Sequence, residues 1–288
     1  MAKALVLGGA TGLLGQALVR VLANHGWQTE SLGRQDGNLF DMEFLEHRLV
    51  QAQADVIFNT VAYTQVDAAE DAPQEALQLN RSLPDALARI IKSLKHGFLV
   101  HYSTDFVFSG DRHSPWHEDE TPCPASVYGS TKLAGEQAIV QILPEASAIL
   151  RTAWLFGPDR KNFVSTILNA CQKKDQISVV HDQIGSPTYT LDLAEWSLEV
   201  ATKRACGIWH AVNSGHASWC ELAAEAISLT SCPCKLAPIT SKEWPQKVVR
   251  PGYSVLDTAK LASLLGYKPR PWPQALREYL FSHFQENS

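Results

Sequence analysis

A chain of 288 residues is too long for one minimal domain and suits a large α/β domain with an extension. Its hydrophobic content of 45% is that of an ordinary globular core, and a net charge of -5 argues against binding nucleic acid or an anionic membrane surface. No apolar run approaches the roughly 20 residues of a bilayer span and the N-terminus shows no signal-peptide pattern, so a cytoplasmic protein is expected.

The first element is an almost uninterrupted apolar run, Lys3 to Leu7, as a strand buried on both faces requires. It leads into Gly8-Gly9-Ala10-Thr11-Gly12-Leu13-Leu14-Gly15 and then an amphipathic helix to about His25. The spacing Gly9, Gly12, Gly15 between a first strand and a first helix is a variant of the dinucleotide fingerprint. Gly9 is expected to permit the tight turn, Gly12 to admit a pyrophosphate to the helix N-terminus, and Gly15 to let helix and strand pack closely. Gln28 to Leu32 reads as the second strand. It ends at Gly33-Arg34 and not at the carboxylate that would take a ribose 2′-hydroxyl. Arg34 suits a 2′-phosphate, which makes NADPH the expected cofactor and NADH the alternative; Asp36 lies close by, and a plain surface arginine is the other reading.

Asp55 to Ala62 forms the expected third strand, with Ala62, Tyr63 and Thr64 at its carboxyl end as cofactor contacts. One helix is predicted from about Pro73 to Lys95, carrying Asn80, then a fourth strand over Gly97–Ser103 and a fifth over Ala148–Thr152. This alternation predicts a Rossmann-type doubly wound parallel sheet over residues 1–152, to which later segments can return. Residues 153–288 read mainly as a smaller α/β substrate lobe, with helices over Asn162–Lys173, Leu191–Lys203, Ser218–Ser228 and Trp272–Phe284. Cys232-Pro233-Cys234 is the one close pair among six cysteines. His216, the nearest histidine in sequence, is expected among helical residues, so the cysteines read as loop thiols and no metal is expected.

Tyr128 and Lys132 are four apart and share a helix face, so the ammonium can sit near the phenol. With Thr104 just past the fourth strand, they form a set that can reduce a carbonyl. Tyr128 delivers the proton, Lys132 favours the phenolate afterwards by lowering its pKa, and Thr104 stabilises the oxygen. The segments Gly9–Gly15, Ala62–Glu70, Tyr102–Phe108, Val127–Glu136, Arg151–Trp154, Asp182–Thr188 and Arg250-Pro251 together resemble the extended short-chain dehydrogenase/reductases. More closely they resemble the dTDP-4-dehydrorhamnose reductases.

That resemblance implies an NADP(H)-dependent reduction of the C4 keto group of a dTDP-linked 4-keto-6-deoxyhexose, and Lys132 holding the nicotinamide ribose. It also implies Asn38 and Leu39 near the adenine, and Asp105, Phe106, Trp154, Asn162, Gln183 and Arg250 near the sugar nucleotide. On residue chemistry alone Asp105 could equally cap a turn, Trp154 pack the core, and Arg250 lie on the surface. Phe106 stands where the related dehydratases carry a glutamate, which speaks against elimination. Tyr253 replaces an asparagine usual in relatives. Ala17 stands where some relatives have a metal-ligating glutamate, so a monomer or a homodimer without a bridging metal is expected. The competing reading is a non-catalytic NADP-binding regulatory subunit resembling methionine adenosyltransferase β. A third is a reductase of another nucleotide-linked keto-sugar.

Overall fold

The computed structural model describes residues 1–284. Its centre is a parallel sheet built from β1 (Lys3–Leu7), β2 (Gln28–Leu32), β3 (Val56–Asn59), β4 (Leu99–Thr104), β5 (Ser147–Thr152) and a late strand, Gly207–His210. The late strand pairs with β5, Gly207 opposite Ala148 and His210 opposite Arg151, so the sheet takes in a sixth strand from beyond residue 152. β1, β3, β4 and β5 are almost wholly buried, as apolar strands covered on both faces must be. β2 lies at one end, and its polar residues Gln28, Thr29, Glu30 and Ser31 suit an edge.

Helices pack on both faces. On one side α1 (Leu13–Asn24) buries Leu14, Ala17, Leu18, Val21 and Leu22 against the sheet and against a helix over Thr190–Thr202. Each leucine so buried stabilises the fold by roughly 1.5–3 kcal/mol. Ala17 is wholly buried in this interface. The position therefore faces the core. On the other side lie α2 (Met42–Ala52) and a long helical run after α3 (Val66–Ala69). The run expected to be one helix is three pieces: α4 (Pro73–Leu77), a π-helical turn over Gln78–Ser82, and α5 (Leu83–Leu94). After β4 comes a short 3₁₀ turn (Asp105–Val107) and then α6 (Val127–Ile142), capped by Ser126, whose hydroxyl accepts from the Gly129 N–H.

Three short strand pairs build the remaining lobe. β6 (Leu155–Phe156) pairs β9 (Thr188–Tyr189), β7 (Gln176–Val180) pairs a strand over Lys235–Ile239, and β8 (Ile184–Gly185) pairs Ala217–Ser218. Helices α7 (Phe163–Cys171), α8 (Thr190–Thr202), α9 (Trp219–Leu229), α10 (Ala259–Leu265) and α11 (Trp272–Phe284) follow in chain order, and α8 is the one that returns to α1. His216 lies in the loop before α9 and not in a helix. Among the described residues no group of three or more His, Cys, Asp or Glu is placed to hold a metal ion, and no helix is long and apolar enough to cross a membrane.

Candidate active site

The site lies at the carboxyl ends of β1, β3 and β4, where the chain leaves the parallel strands. At β1 the turn uses left-handed backbone at Gly8 (φ +81°), not at Gly9. A Cβ at Gly9 would meet Ser31 Oγ at 2.5 Å, and one at Gly15 would run into the Gly8 carbonyl, so helix and strand approach as closely as the fingerprint requires. α1 starts at Gly12 without a side-chain cap and without an acidic residue in its first turn. Its first N–H groups are thus suited to an anion, and Thr11, Leu13 and Leu14 flank them. This cradle fits the diphosphate of a dinucleotide.

Arg34 is exposed at the end of β2 and makes no salt bridge among the described residues. The neighbouring Asp36 is occupied, since its carboxylate accepts the Gly33 N–H at 2.7 Å. Both side chains are exposed, so the loop presents the guanidinium to solvent with the Asp36 carboxylate near it in sequence. The Asn38 amide oxygen accepts the Phe40 N–H at 3.1 Å and so holds the turn, on an exposed side chain. Leu39 turns its side chain into the core, leaving only backbone for a nucleotide.

Beyond β3, Tyr63 is clamped between Ala62 and Thr64 by Asn80. The Asn80 amide accepts the Tyr63 N–H at 2.8 Å and donates to the Tyr63 carbonyl at 3.2 Å and to Thr131 Oγ1 at 3.1 Å. The π turn brings the fully buried Asn80 under the loop. Sequence reasoning noted Asn80 only as a passenger on a helix.

Thr104, Asp105, Phe106, Tyr128 and Lys132 come together where β4 meets α6. The Thr104 hydroxyl donates to Asp105 Oδ1 at 3.0 Å, accepts the Phe106 N–H at 3.2 Å, and lies beside the Tyr128 phenol. Asp105 Oδ2 accepts from Ser254 Oγ at 2.5 Å, so Ser254 joins a site to which no motif assigned it. Phe106 packs edge-on to the Tyr128 ring at 5.6 Å.

Burial, opposed by the Thr104 bond, pushes the Tyr128 phenol up to about 12. The expectation of a phenol lowered by Lys132 fails here, because the Lys132 nitrogen is engaged elsewhere. It donates to the Tyr102 carbonyl and lies 3.4 Å from His101 Nε2. Burial lowers this ammonium to about 8 while the Glu136 carboxylate opposes the fall. Glu136 is itself held by Arg151 at 2.7 Å, a pair buried between α6 and β5. Asp105 is 2% exposed and burial pushes its carboxyl up to about 6, against the bonds from Ser254 and Thr104.

The outer residues are less gathered. Trp154 sits at φ +48°, a conformation rare for a bulky side chain, and stacks on Trp219 with ring centres 3.5 Å apart. Its indole also lies over Gly185, where a Cβ would come within 2.5 Å of the ring. Gln183 is buried and donates weakly to Gln246 at 3.4 Å. Arg250 is paired with Asp67 at 2.7 Å, while the other Asp67 oxygen accepts the Lys247 and Val248 N–H groups. Asn162 is committed to structure: it caps α7 and donates to the Gly157 and Arg160 carbonyls and to Tyr279. These bonds engage both ends of its amide. Tyr253 is buried and packs near His113. A cavity of about 1210 Å³, lined by Arg160, Lys161, Cys171 and Cys232 among others, shares no lining residue with this cluster. Its size does not make it the reactive site, because the converging polar groups lie elsewhere.

A dinucleotide cradle, a parallel sheet, and a threonine–tyrosine–lysine set at the end of the fourth strand define an oxidoreductase of the extended short-chain dehydrogenase/reductase type. The family model described as the RmlD substrate binding domain matches residues 2–284. The chain belongs to that family. It is 37% identical to the spore coat polysaccharide biosynthesis protein SpsK of Bacillus subtilis, covering 97% of each chain. It is 36% identical to the dTDP-4-dehydrorhamnose reductase of Streptomyces griseus, covering 94% of this chain and 90% of that one. The solved dTDP-4-dehydrorhamnose reductase of Bacillus anthracis, in complex with NADP, superposes with a TM-score of 0.93 at 29% identity, covering 98% of this chain and 100% of that one.

Proposed function

We propose that the protein reduces the C4 keto group of dTDP-4-dehydro-L-rhamnose to give dTDP-L-rhamnose, with NADPH as the hydride source, in the cytoplasm. The observation that carries this is the convergence of Thr104, at the end of β4, with Tyr128 and Lys132 of α6 beside the dinucleotide cradle at the α1 N-terminus. NADPH, when bound, supplies the hydride. Gly9, Gly12 and Gly15 would hold its diphosphate at the α1 N-terminus, Arg34 its 2′-phosphate, and Lys132 its nicotinamide ribose.

The chain's own residues handle the proton. As negative charge develops on the carbonyl oxygen, Tyr128 gives up its hydroxyl proton; a high phenol pKa is no obstacle, because an alkoxide is a far stronger base. Thr104 directs its oxygen to the same place and orients the carbonyl. Its hydroxyl proton is shared with Asp105 in the ligand-free site, so substrate must compete for it. Phe106 adds no ionisable group beside Tyr128, which leaves elimination without an acid or base at that position. Trp154 over Gly185 offers the sugar a flat wall, and Arg250 is a cation suited to the diphosphate once it exchanges Asp67 for phosphate.

The test follows NADPH consumption on adding dTDP-4-dehydrorhamnose to the wild type and to Tyr128→Phe. The wild type should turn over and yield dTDP-L-rhamnose. The variant should lose about 10²–10⁴-fold in kcat while NADPH affinity changes less than about threefold, under 1 kcal/mol. A wild type that binds NADPH yet consumes none would favour the regulatory reading. Turnover of another nucleotide-linked keto-sugar alone would relocate the substrate.

A further inference from the structure

Behind Lys132 lies a buried polar chain that the reaction described above leaves unused. His101 belongs to β4 and is 0% exposed; Asn59 faces it across the β3–β4 ladder and is 1% exposed. Asn59 Oδ1 accepts the Val61 N–H at 3.2 Å, which turns its NH₂ group toward His101 Nδ1 at 3.1 Å. An amide NH₂ only donates, so Nδ1 must be the bare, accepting nitrogen and the imidazole proton sits on Nε2. That nitrogen lies 3.4 Å from Lys132 Nζ.

We propose that His101 is a positioning residue for Lys132: Asn59 locks it as the Nε2–H tautomer, and this N–H opposes protonation of the lysine nitrogen that it faces. An ammonium group has only donors, so it and the Nε2–H meet donor to donor, whereas a neutral amine could accept from the ring. His101 does not escape by becoming a cation, since burial and the Lys132 charge hold it well below its ordinary value. The groups facing Lys132 come from every packed element. β4 contributes His101 and the Tyr102 carbonyl, and α6 contributes Glu136. Arg151 of β5 reaches it only through Glu136, and Asp105 lies beyond Thr104. Of these, Glu136 and the Tyr102 carbonyl favour the ammonium and His101 works against it. The balance leaves Lys132 able to change charge close to working pH.

The kinetic part rests on the reductase reading; the tautomer does not. In the NADPH-bound enzyme, ¹⁵N-labelled histidine should show His101 with a bare Nδ1 and a protonated Nε2 throughout the pH range in which the protein is folded. An Nδ1–H tautomer or an imidazolium would overturn the proposal whether or not any sugar is turned over. In His101→Gln the side-chain oxygen can accept from Lys132, so the high-pH limb of kcat should move up by about one unit, a tenfold change in the ionisation constant. KM for NADPH should stay within about threefold. A residue that merely filled space would lower kcat at every pH and leave the limb where it was, and that result also defeats the proposal. If His101→Gln does not fold, the tautomer in the wild type decides. Absence of turnover with a correct tautomer counts against the function alone.

Discussion

Asp105 keeps a carboxylate where burial disfavours charge, and the cost has a sign that can be measured. Burial holds its carboxyl at about 6 in the folded chain, above an ordinary aspartate's 3.8, so the folded chain binds this proton more tightly than the unfolded chain. Stability from this group is therefore present at low pH and lost as pH rises through the window between those values, by about 3 kcal/mol in all. Asp105→Asn removes the charge while keeping an oxygen for Thr104. The variant should gain roughly 1–3 kcal/mol over the wild type near pH 8, and the gain should vanish toward pH 4. Urea midpoints at the two pH values measure it; an equal gain at both would show that ionisation is not the cause. The carboxylate's retention at such a cost fits a role beside Thr104, as strain and unfavourable charge gather where chemistry is done. At this scale Tyr128 and Lys132 were legible from spacing and Thr104 from its place after a strand. Ser254 was not, because its bond to Asp105 spans 149 positions and no local pattern encodes it. The Asp67–Arg250 pair is hidden for the same reason: both residues lie in motif segments, but nothing in either segment names the other as its partner.

Among the elements, the π turn at Gln78–Ser82 does the least visible work. Hydrophobic spacing continues through α4 and α5, so a widened turn between them leaves no break in the pattern that predicted one helix. Its effect is on Asn80, which it presents to the Tyr63 backbone and to Thr131. Gly135 permits this from the other side, since a Cβ there would collide with the Asn80 carbonyl. Asn80→Ala strands buried partners and should cost about 1–3 kcal/mol. It should also weaken NADPH binding, because Ala62 to Thr64 lose their clamp. Denaturation together with a nucleotide titration checks both, and unchanged NADPH affinity would confine Asn80 to stability. The sheet was readable up to β5 because those strands are apolar and regularly spaced. The strand at Gly207–His210 was missed: it is short, half of it is only partly buried, and it follows a stretch of irregular rhythm. Strand β3 also ends at Asn59, earlier than its apolar run suggests, because pairing stops where the chain turns toward Asn80.

In the whole molecule the parallel sheet is tied to its covering helices by buried charge as well as by apolar packing. Glu136 and Arg151, each side chain 2% exposed, tie α6 to β5, and losing either partner would leave a buried charge uncompensated. α8 packs on α1 and the strand after it pairs with β5, while β6, β9 and α7 build an apolar wall that Trp154 joins. Trp154 and Trp219 meet at that wall with their rings 5° from parallel. Two indoles this close share their excited states, so the pair is a built-in optical reporter. Near-ultraviolet circular dichroism should fall in Trp219→Phe by more than one chromophore's share of the eight tryptophans, and should change again when a nucleotide sugar enters beside Trp154. A loss in simple proportion would mean that the stack does not persist in solution. If it does persist, sugar binding can be followed by light alone, with no nicotinamide signal and no turnover.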